Sequence, residues 1–222
     1  MISVVIPTYQ MQGGVEFLKR SLEAIKRQTY KDVEVIISDN SDNDDIENLI
    51  QDYDCLYFRN PIKGMAENTN NAIDKASGDL IKILFQDDFL AHNEALENIV
   101  NNFQGAWLVT GCNHLEADPM SGLGYVGNEH YAEWNDQIYI RNTIGSPSVL
   151  TISKEVMLRF NPYKYVLDAD FYKRIYDQLG EPTILNDINV TIGLGKHQQT
   201  NLLSQEEKEN EHKQLYAKYT SS

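Results

Sequence analysis

Positive charge is scarce in this chain: 19 lysines and arginines stand against 33 aspartates and glutamates, a formal net charge of −14. That field disfavours nucleic acid or an anionic membrane surface as a partner held by bulk electrostatics. An anionic substrate would need local help from a cation, a helix N-terminus or backbone amides. Cysteine is scarcer still, since Cys55 and Cys112 stand alone without metal-ligand spacing and read as buried thiols, not as a disulfide framework. No apolar run approaches the ~20 residues of a membrane span. The opening MISVVIPTYQ has no charged leader or cleavage site, which reads as no export and a cytoplasmic location. No G-x-G-x-x-G follows the first apolar run, so a dinucleotide oxidoreductase is disfavoured. Internal repeats and low-complexity linkers are missing too, and 222 residues suffice for one large domain but not for two generous ones.

What the first half does have is a rhythm. The strand-like runs ISVVIP (2–7), VEVIIS (33–38), CLYF (55–58), LIKILF (80–85) and WLVTGC (107–112) alternate with helical spacing. The helical positions are Val15, Leu18, Leu22 and Ile25; Ile46, Leu49, Ile50 and Tyr53; the stretch 64–79; and Leu96, Ile99, Val100 and Phe103. Nearly continuous apolar strands alternating with helices predict an α/β fold whose parallel sheet is covered on both faces. Beyond about residue 113 the rhythm breaks into Gly-, Pro- and Asn-rich chain with scattered aromatics, expected to be short strands and loops that shape a pocket. A helix is expected over 168–179 and extended chain over 182–194. Ser204 and Glu207, in capping-box spacing, open a mostly solvated terminal helix over 204–219.

In an open parallel sheet, ligands bind outside the carboxyl ends of the strands. Three strands deliver polar residues to that edge: the first ends in Pro7, Thr8 and Tyr9, the second in Asp39, Asn40 and Ser41, the fourth in Asp87 and Asp88. Turn chemistry alone accounts for an Asp at 39, and an N-cap for one Asp before HNEALENIV. A cap needs one carboxylate, not two. A carboxylate pair beside a diphosphate suits Mg2+ or Mn2+, hard cations that bind oxygen and often take substrate phosphates as ligands.

Taken together, ISVVIPTY, QTYKDVEVIISDNSDND (28–44), NPIKGMAENTNNAIDKASGDLIKILFQDD (60–88) and DADFYKRI (168–175) resemble the family-2 glycosyltransferases, over residues 2 to about 180. The resemblance implies a GT-A fold: a Rossmann-like, mostly parallel central sheet flanked by helices, with a small irregular acceptor-side region. It implies one catalytic domain over 1–203, with a nucleotide-sugar-binding half (1–112), an acceptor half (113–203) and a helical tail (204–222). It further implies inverting transfer of a sugar from a nucleoside diphosphate donor, a UDP-sugar first, to a glycan or lipid-linked acceptor in surface polysaccharide synthesis.

Carried onto this chain, Pro7, Thr8, Tyr9, Asp39 and Asn70 fall where the family holds the nucleotide, Asp87 where it approaches the ribose, and Asp88 where it binds Mn2+ or Mg2+. His197 stands where some relatives place a late His near the metal, and an ordinary surface histidine is the competing reading. Asp168 falls on the general base, ahead of its competitor Asp170, though an N-cap explains such an Asp equally well. Tyr125, Tyr131, Trp134 and Tyr139 are expected around an acceptor, or alternatively in the core.

Three positions depart from the family pattern: Phe85 replaces an acid, Thr69 an arginine, and Leu167 a glutamate. Phe85 and Leu167 favour, as an alternative, a non-catalytic sugar-nucleotide binding module; a second alternative, which shares the sheet, metal and acidic pair, is a sugar-phosphate nucleotidyltransferase. The latter lacks its basic phosphate loop, since PTYQMQGG has no cation before Lys19. Peripheral membrane association and oligomeric state are left open.

Overall fold

Every residue of Ile2–Thr8 is buried, and that seven-residue strand is the spine on which the rest assembles. The computed structural model describes residues 1–117 and 124–221, the side chains of 117 and 124–126 excepted. In chain order the elements are β1 (Ile2–Thr8), α1 (Gly14–Lys26), β2 (Val33–Asp39), α2 (Asp45–Ile50), β3 (Leu56–Arg59), α3 (Met65–Lys75), β4 (Leu80–Ile83), β5 (Phe89–Leu90) and α4 (Ala95–Asn102). Then come β6 (Trp107–Ala117), β7 (Gly124–His130), a 3-10 turn (Pro147–Val149), β8 (Leu150–Ser153), α5 (Leu167–Leu179), β9 (Thr183–Leu194), α6 (Gln199–Leu202) and α7 (Gln205–Thr220).

The sheet runs β3-β2-β1-β4-β8-β6-β9-β5, with β7 beside β6. Its first four strands are parallel, with Thr8 opposite Asp39 and Val5 opposite Ile83. Helical crossovers cause this, because a parallel neighbour must be reached over the sheet face. On α1, Leu18, Leu22 and Ile25 form the buried stripe that the sequence spacing predicts; Val15 is only half-buried, and Phe17, outside that spacing, is buried beside them. Each fully buried Leu or Ile contributes roughly 1.5–3 kcal/mol.

The second half is mixed, with β4–β8, β8–β6, β6–β7 and β9–β5 antiparallel and β6–β9 parallel. The fold is therefore the expected α/β architecture, with parallel pairing concentrated in its first half and the second half mixed.

Two details position the site. β4 stops at Ile83, although Leu84 N still donates to Val5 O at 3.0 Å, and the acidic pair then lies in a tight turn where Asp88 N donates to Phe85 O at 3.0 Å. Helix α5 is clamped by burial of Phe171, Tyr172 and Ile175; Tyr172 stacks on Trp107, with centroids 6.0 Å apart. Cys112 is buried and Cys55 half-buried, both free thiols as expected. No described helix is long and apolar enough to cross a membrane.

Candidate active site

A cavity of about 560 Å3 opens at the carboxyl edge of the parallel strands. Asp87 and Asp88 line it, and they are not a helix cap, because α4 begins seven residues after Asp88. Asp88 is 2% exposed, and its Oδ1 accepts the Gly193 N–H at 2.8 Å. β9 can come this close only because residue 193 is glycine: a Cβ there would lie 2.3 Å from the Asp87 carbonyl oxygen. Burial, and then the charge of Asp87, push the Asp88 carboxyl well above the usual carboxylate range, while Ser148, Gly193 and Arg20 pull it down. Asp87 Oδ2 lies 2.9 Å from His197 Nε2, and its carbonyl accepts from Arg20 Nη2 at 2.6 Å.

Two cations behind the acidic turn are not legible as such in the sequence. Arg20, on α1, stacks over Phe89 at 4.4 Å. Lys82 lies inside β4, fully buried, donating to the carbonyls of Ser148 and Leu150. Burial lowers its ammonium to about 7, against the opposing pull of Asp88. In the sequence, a lysine in LIKIL reads only as an interruption of an apolar run.

On the nucleoside side, Pro7 and Tyr9 line the cavity. Thr8 and Asp39 lie directly behind it, fully buried and absent from its wall. Asp39 Oδ1 accepts from Thr8 Oγ1 at 3.2 Å, Ser41 N at 2.9 Å and Ser41 Oγ at 2.6 Å, and Oδ2 accepts from Tyr57 at 2.8 Å. Its carboxylate is thus consumed in shaping the loop whose next residues, Asn40 and Asp42, do face the cavity. Asn70 is a correction to the expected set. Its amide donates to Phe160 O at 2.9 Å and accepts from Phe160 N at 2.8 Å, so it pins a loop and is not part of the cavity wall.

Asn68, one turn of α3 from the glycine at its start, lines the cavity instead, with Nδ2 donating to the carbonyls of Thr8 and Ser38 at 2.9 Å each. Gln86 ties the same corner together, accepting from Tyr9 N at 3.0 Å and donating to Gly14 O at 2.9 Å. Neither stands out in the sequence, since neutral amides carry no charge signal.

The remaining wall comes from α5 and the chain before it. Asp168 lines the cavity at the second position of the helix; the N-cap is Val166. Burial of the carboxyl group away from water pushes it up to about 6, against hydrogen bonds from the backbone and from Asn142 Nδ2 at 2.7 Å. Asp170, two residues on, is fully buried in a different environment. It pairs with Arg174 at 2.8 Å and with Lys218, and accepts from Asn161 at 2.8 Å and Tyr219 at 3.1 Å. Those partners hold its carboxyl below the usual range, burial notwithstanding. Asp168 thus faces the cavity and Asp170 braces the tail.

Of the aromatics expected at an acceptor, Tyr131, Trp134 and Tyr139 are not on the cavity wall. Trp134 stacks on Tyr176, Tyr139 packs against Tyr219, Tyr131 bonds Glu129, and the side chain of Tyr125 lies outside the described residues. Tyr165 is the aromatic on the cavity wall near Asp168. Phe85 and Leu167, which replace acids, also line it.

The site fits a hard divalent cation in part. Two carboxylates and an imidazole face one cavity, and a cation would relieve the like charge that raises Asp88. Among the described residues, no three such groups cluster tightly enough to hold an ion by themselves. The shell would be completed by phosphate oxygens and water, as is usual for Mg2+.

The Glycosyl transferase family 2 model matches residues 3–170. A Campylobacter jejuni GalNAc(5)-diNAcBac-PP-undecaprenol beta-1,3-glucosyltransferase is 36% identical over 96 residues, 40% of this chain and 30% of that protein. The chain thus spans less than two thirds of that relative's length. Two solved structures share the fold. S. aureus TarS in complex with UDP-GlcNAc has a TM-score of 0.69 at 15% identity, over 96% of this chain and 65% of that one. The Pyrobaculum calidifontis mannosyltransferase PcManGT in complex with GDP-Man and Mn2+ has a TM-score of 0.69 at 15% identity, over 100% and 64%.

Proposed function

The chain belongs to glycosyl transferase family 2, and from that premise we propose that it moves a sugar from a nucleoside diphosphate donor to an acceptor hydroxyl, with inversion at the anomeric carbon. One observation carries the reading: an acidic pair and a separate carboxyl raised to about 6 share a single cavity. Pairs of acids whose environments push them apart mark divided acid–base roles.

In this mechanism Pro7, Tyr9, Asn40 and Asn68 cradle the nucleoside, behind which Asp39 and Thr8 fix the loop. Asp88 and His197 would hold Mg2+ or Mn2+, which supplies Lewis-acid stabilisation of the leaving diphosphate. Asp168, ionised, takes the proton from the acceptor hydroxyl as its oxygen attacks the face opposite the leaving group. The sugar passes through an oxocarbenium-like state. UDP- and GDP-sugars are the donors to test first, since the fold neighbours were solved with UDP-GlcNAc and GDP-Man. A glycan or lipid-linked acceptor, and a role in surface polysaccharide synthesis, follow from the same reading.

The test is transfer or donor hydrolysis with Mn2+ across common donors, with the product anomer read by NMR. Asp168→Asn should lose about 100-fold or more. Because the ionised base is the active form, kcat/KM for the wild type should fall about tenfold per pH unit below about 6. A retained anomeric configuration, or full activity in Asp168→Asn, overturns the base assignment. Tight nucleotide binding with no turnover on any donor would leave a binding module.

A further inference from the structure

Asn142 belongs to no helix or strand and lies 26 residues before Asp168, yet every hydrogen-bonding position of its amide is used. Its Oδ1 accepts from Ile144 N and Gly145 N, both at 3.0 Å. Its Nδ2 donates to Gly145 O at 3.0 Å and to Asp168 Oδ2 at 2.7 Å. A primary amide has two acceptor sites and two hydrogens, so the group is saturated. The two backbone donors fix its orientation, because a flipped amide would set N–H against N–H. Only a donor can therefore face the carboxylate. Gly145 lets the loop close in this way: its φ is +114°, and a Cβ there would touch the His130 ring at 3.4 Å. From the other side, Tyr172 of α5 donates to Gly145 O at 3.2 Å and Ser146 O at 3.1 Å, so the helix that carries Asp168 also holds the loop. Three contacts suffice to shape that loop. The fourth, on Asp168, is surplus to it.

We propose that Asn142 is a positioning residue for the reaction, a dedicated donor that keeps the Asp168 carboxylate oriented and ionised for proton abstraction. The inference rests on Asp168 acting as the base. Donation to the charged form favours ionisation and offsets the desolvation of the carboxyl. The other titratable groups near it are Tyr172 on α5, Lys164 and Tyr165 just before it, and Asp87, Asp88 and His197 on the same cavity wall. His130 abuts the loop, its Nε2 3.1 Å from Ile144 O.

The experiment compares wild type with Asn142→Leu and Asn142→Asp. Asn142→Asp keeps an oxygen for the Ile144 and Gly145 N–H groups, so it retains two of the three loop contacts while removing the donor to Asp168. Two readouts are taken: the pH profile of kcat/KM, and a carboxyl 13C NMR titration of Asp168 without donor, its signal assigned by Asp168→Asn. In Asn142→Leu both midpoints should rise by about one pH unit or more, and further in Asn142→Asp, with the loss of rate smaller at high pH than at low pH. Unmoved midpoints, or an equal loss of rate at every pH, overturn the proposal. If the NMR midpoint moves while Asp168→Asn keeps full transfer, the base reading falls and with it the role of Asn142 in the reaction. If the midpoint is unmoved while Asp168→Asn is dead, only the role of Asn142 falls.

Discussion

Lys82 is the residue most at odds with its surroundings, a lysine with no exposed surface in the middle of a core strand. An ammonium there carries a desolvation cost that two carbonyls and the nearby Asp88 only partly offset. The pH dependence follows. With the folded value near 7 and the unfolded value near 10.4, the unfolded chain binds more protons between these limits, so the cost shrinks as pH rises. Relative to Lys82→Met, the wild type should therefore gain up to about 1.4 kcal/mol per pH unit between pH 7 and 10, measured as the difference between urea unfolding curves. A difference that does not vary with pH would show that the lysine stays charged. Asp168 has the opposite sign: its raised value makes stability fall as pH climbs through the window from its usual value to about 6. That is a cost borne at a candidate catalytic group, and it is why Asp168→Asn is expected to unfold no earlier than wild type.

At the scale of elements, α5 and α7 act as a pair. Helix α7 is polar nearly all round and buries only Leu215, which fits the solvated tail that Ser204 and Glu207 predict; their capping box is present. What the tail does on α5 is not readable from its sequence. Glu211 accepts the backbone N–H groups of Lys164, Tyr165 and Val166 at 2.7–3.2 Å, placing a carboxylate at the helix N-terminus, where the dipole favours it. Lys218 and Tyr219 meanwhile hold Asp170. Glu211→Ala should destabilise the fold by about 1–2 kcal/mol, in the range of a lost N-cap, and speed hydrogen exchange at amides 164–166. A change under about 0.3 kcal/mol would mean that the contact is solvent-compensated. Legibility follows the range of the signal. The α1 stripe and the capping box are local patterns, whereas Glu211 meets its partners 45 to 47 residues away.

For the whole molecule, the deciding balance is between a chain of net charge −14 and the anionic donor proposed for it. Lys63 and Lys164 line the cavity, but Lys63 is already bound to Asp42 and the carbonyl of Asn40. A divalent cation is therefore expected to be needed for nucleoside diphosphate binding. In a thermal-shift series, UDP or GDP with Mn2+ at ~100 times Kd should add about 2.7 kcal/mol, several degrees in Tm, and the nucleotide alone clearly less. Equal shifts with and without Mn2+ would show that Arg20 and the lysines suffice. The unequal legibility seen along the chain also has its cause at this scale. Parallel pairing in the first half could be read because each strand and crossover is one contiguous apolar pattern. The mixed second half could not, since β8 and β9 reach β6 from far along the chain.

The sequence by itself determined the alternation of strands and helices, the edge of the sheet where polar residues gather, the acidic pair there and the helix bearing Asp168, because all of these are written in periodicity and short-range spacing. Tertiary structure alone decided which of two neighbouring aspartates faces the cavity, that Asn70 braces a loop while Asn68 takes its place at the wall, and that Asn142, Lys82 and Arg20 surround the acids. The reason is physical: a side chain's protonation and partners depend on what burial brings beside it, and those neighbours come from tens of residues away.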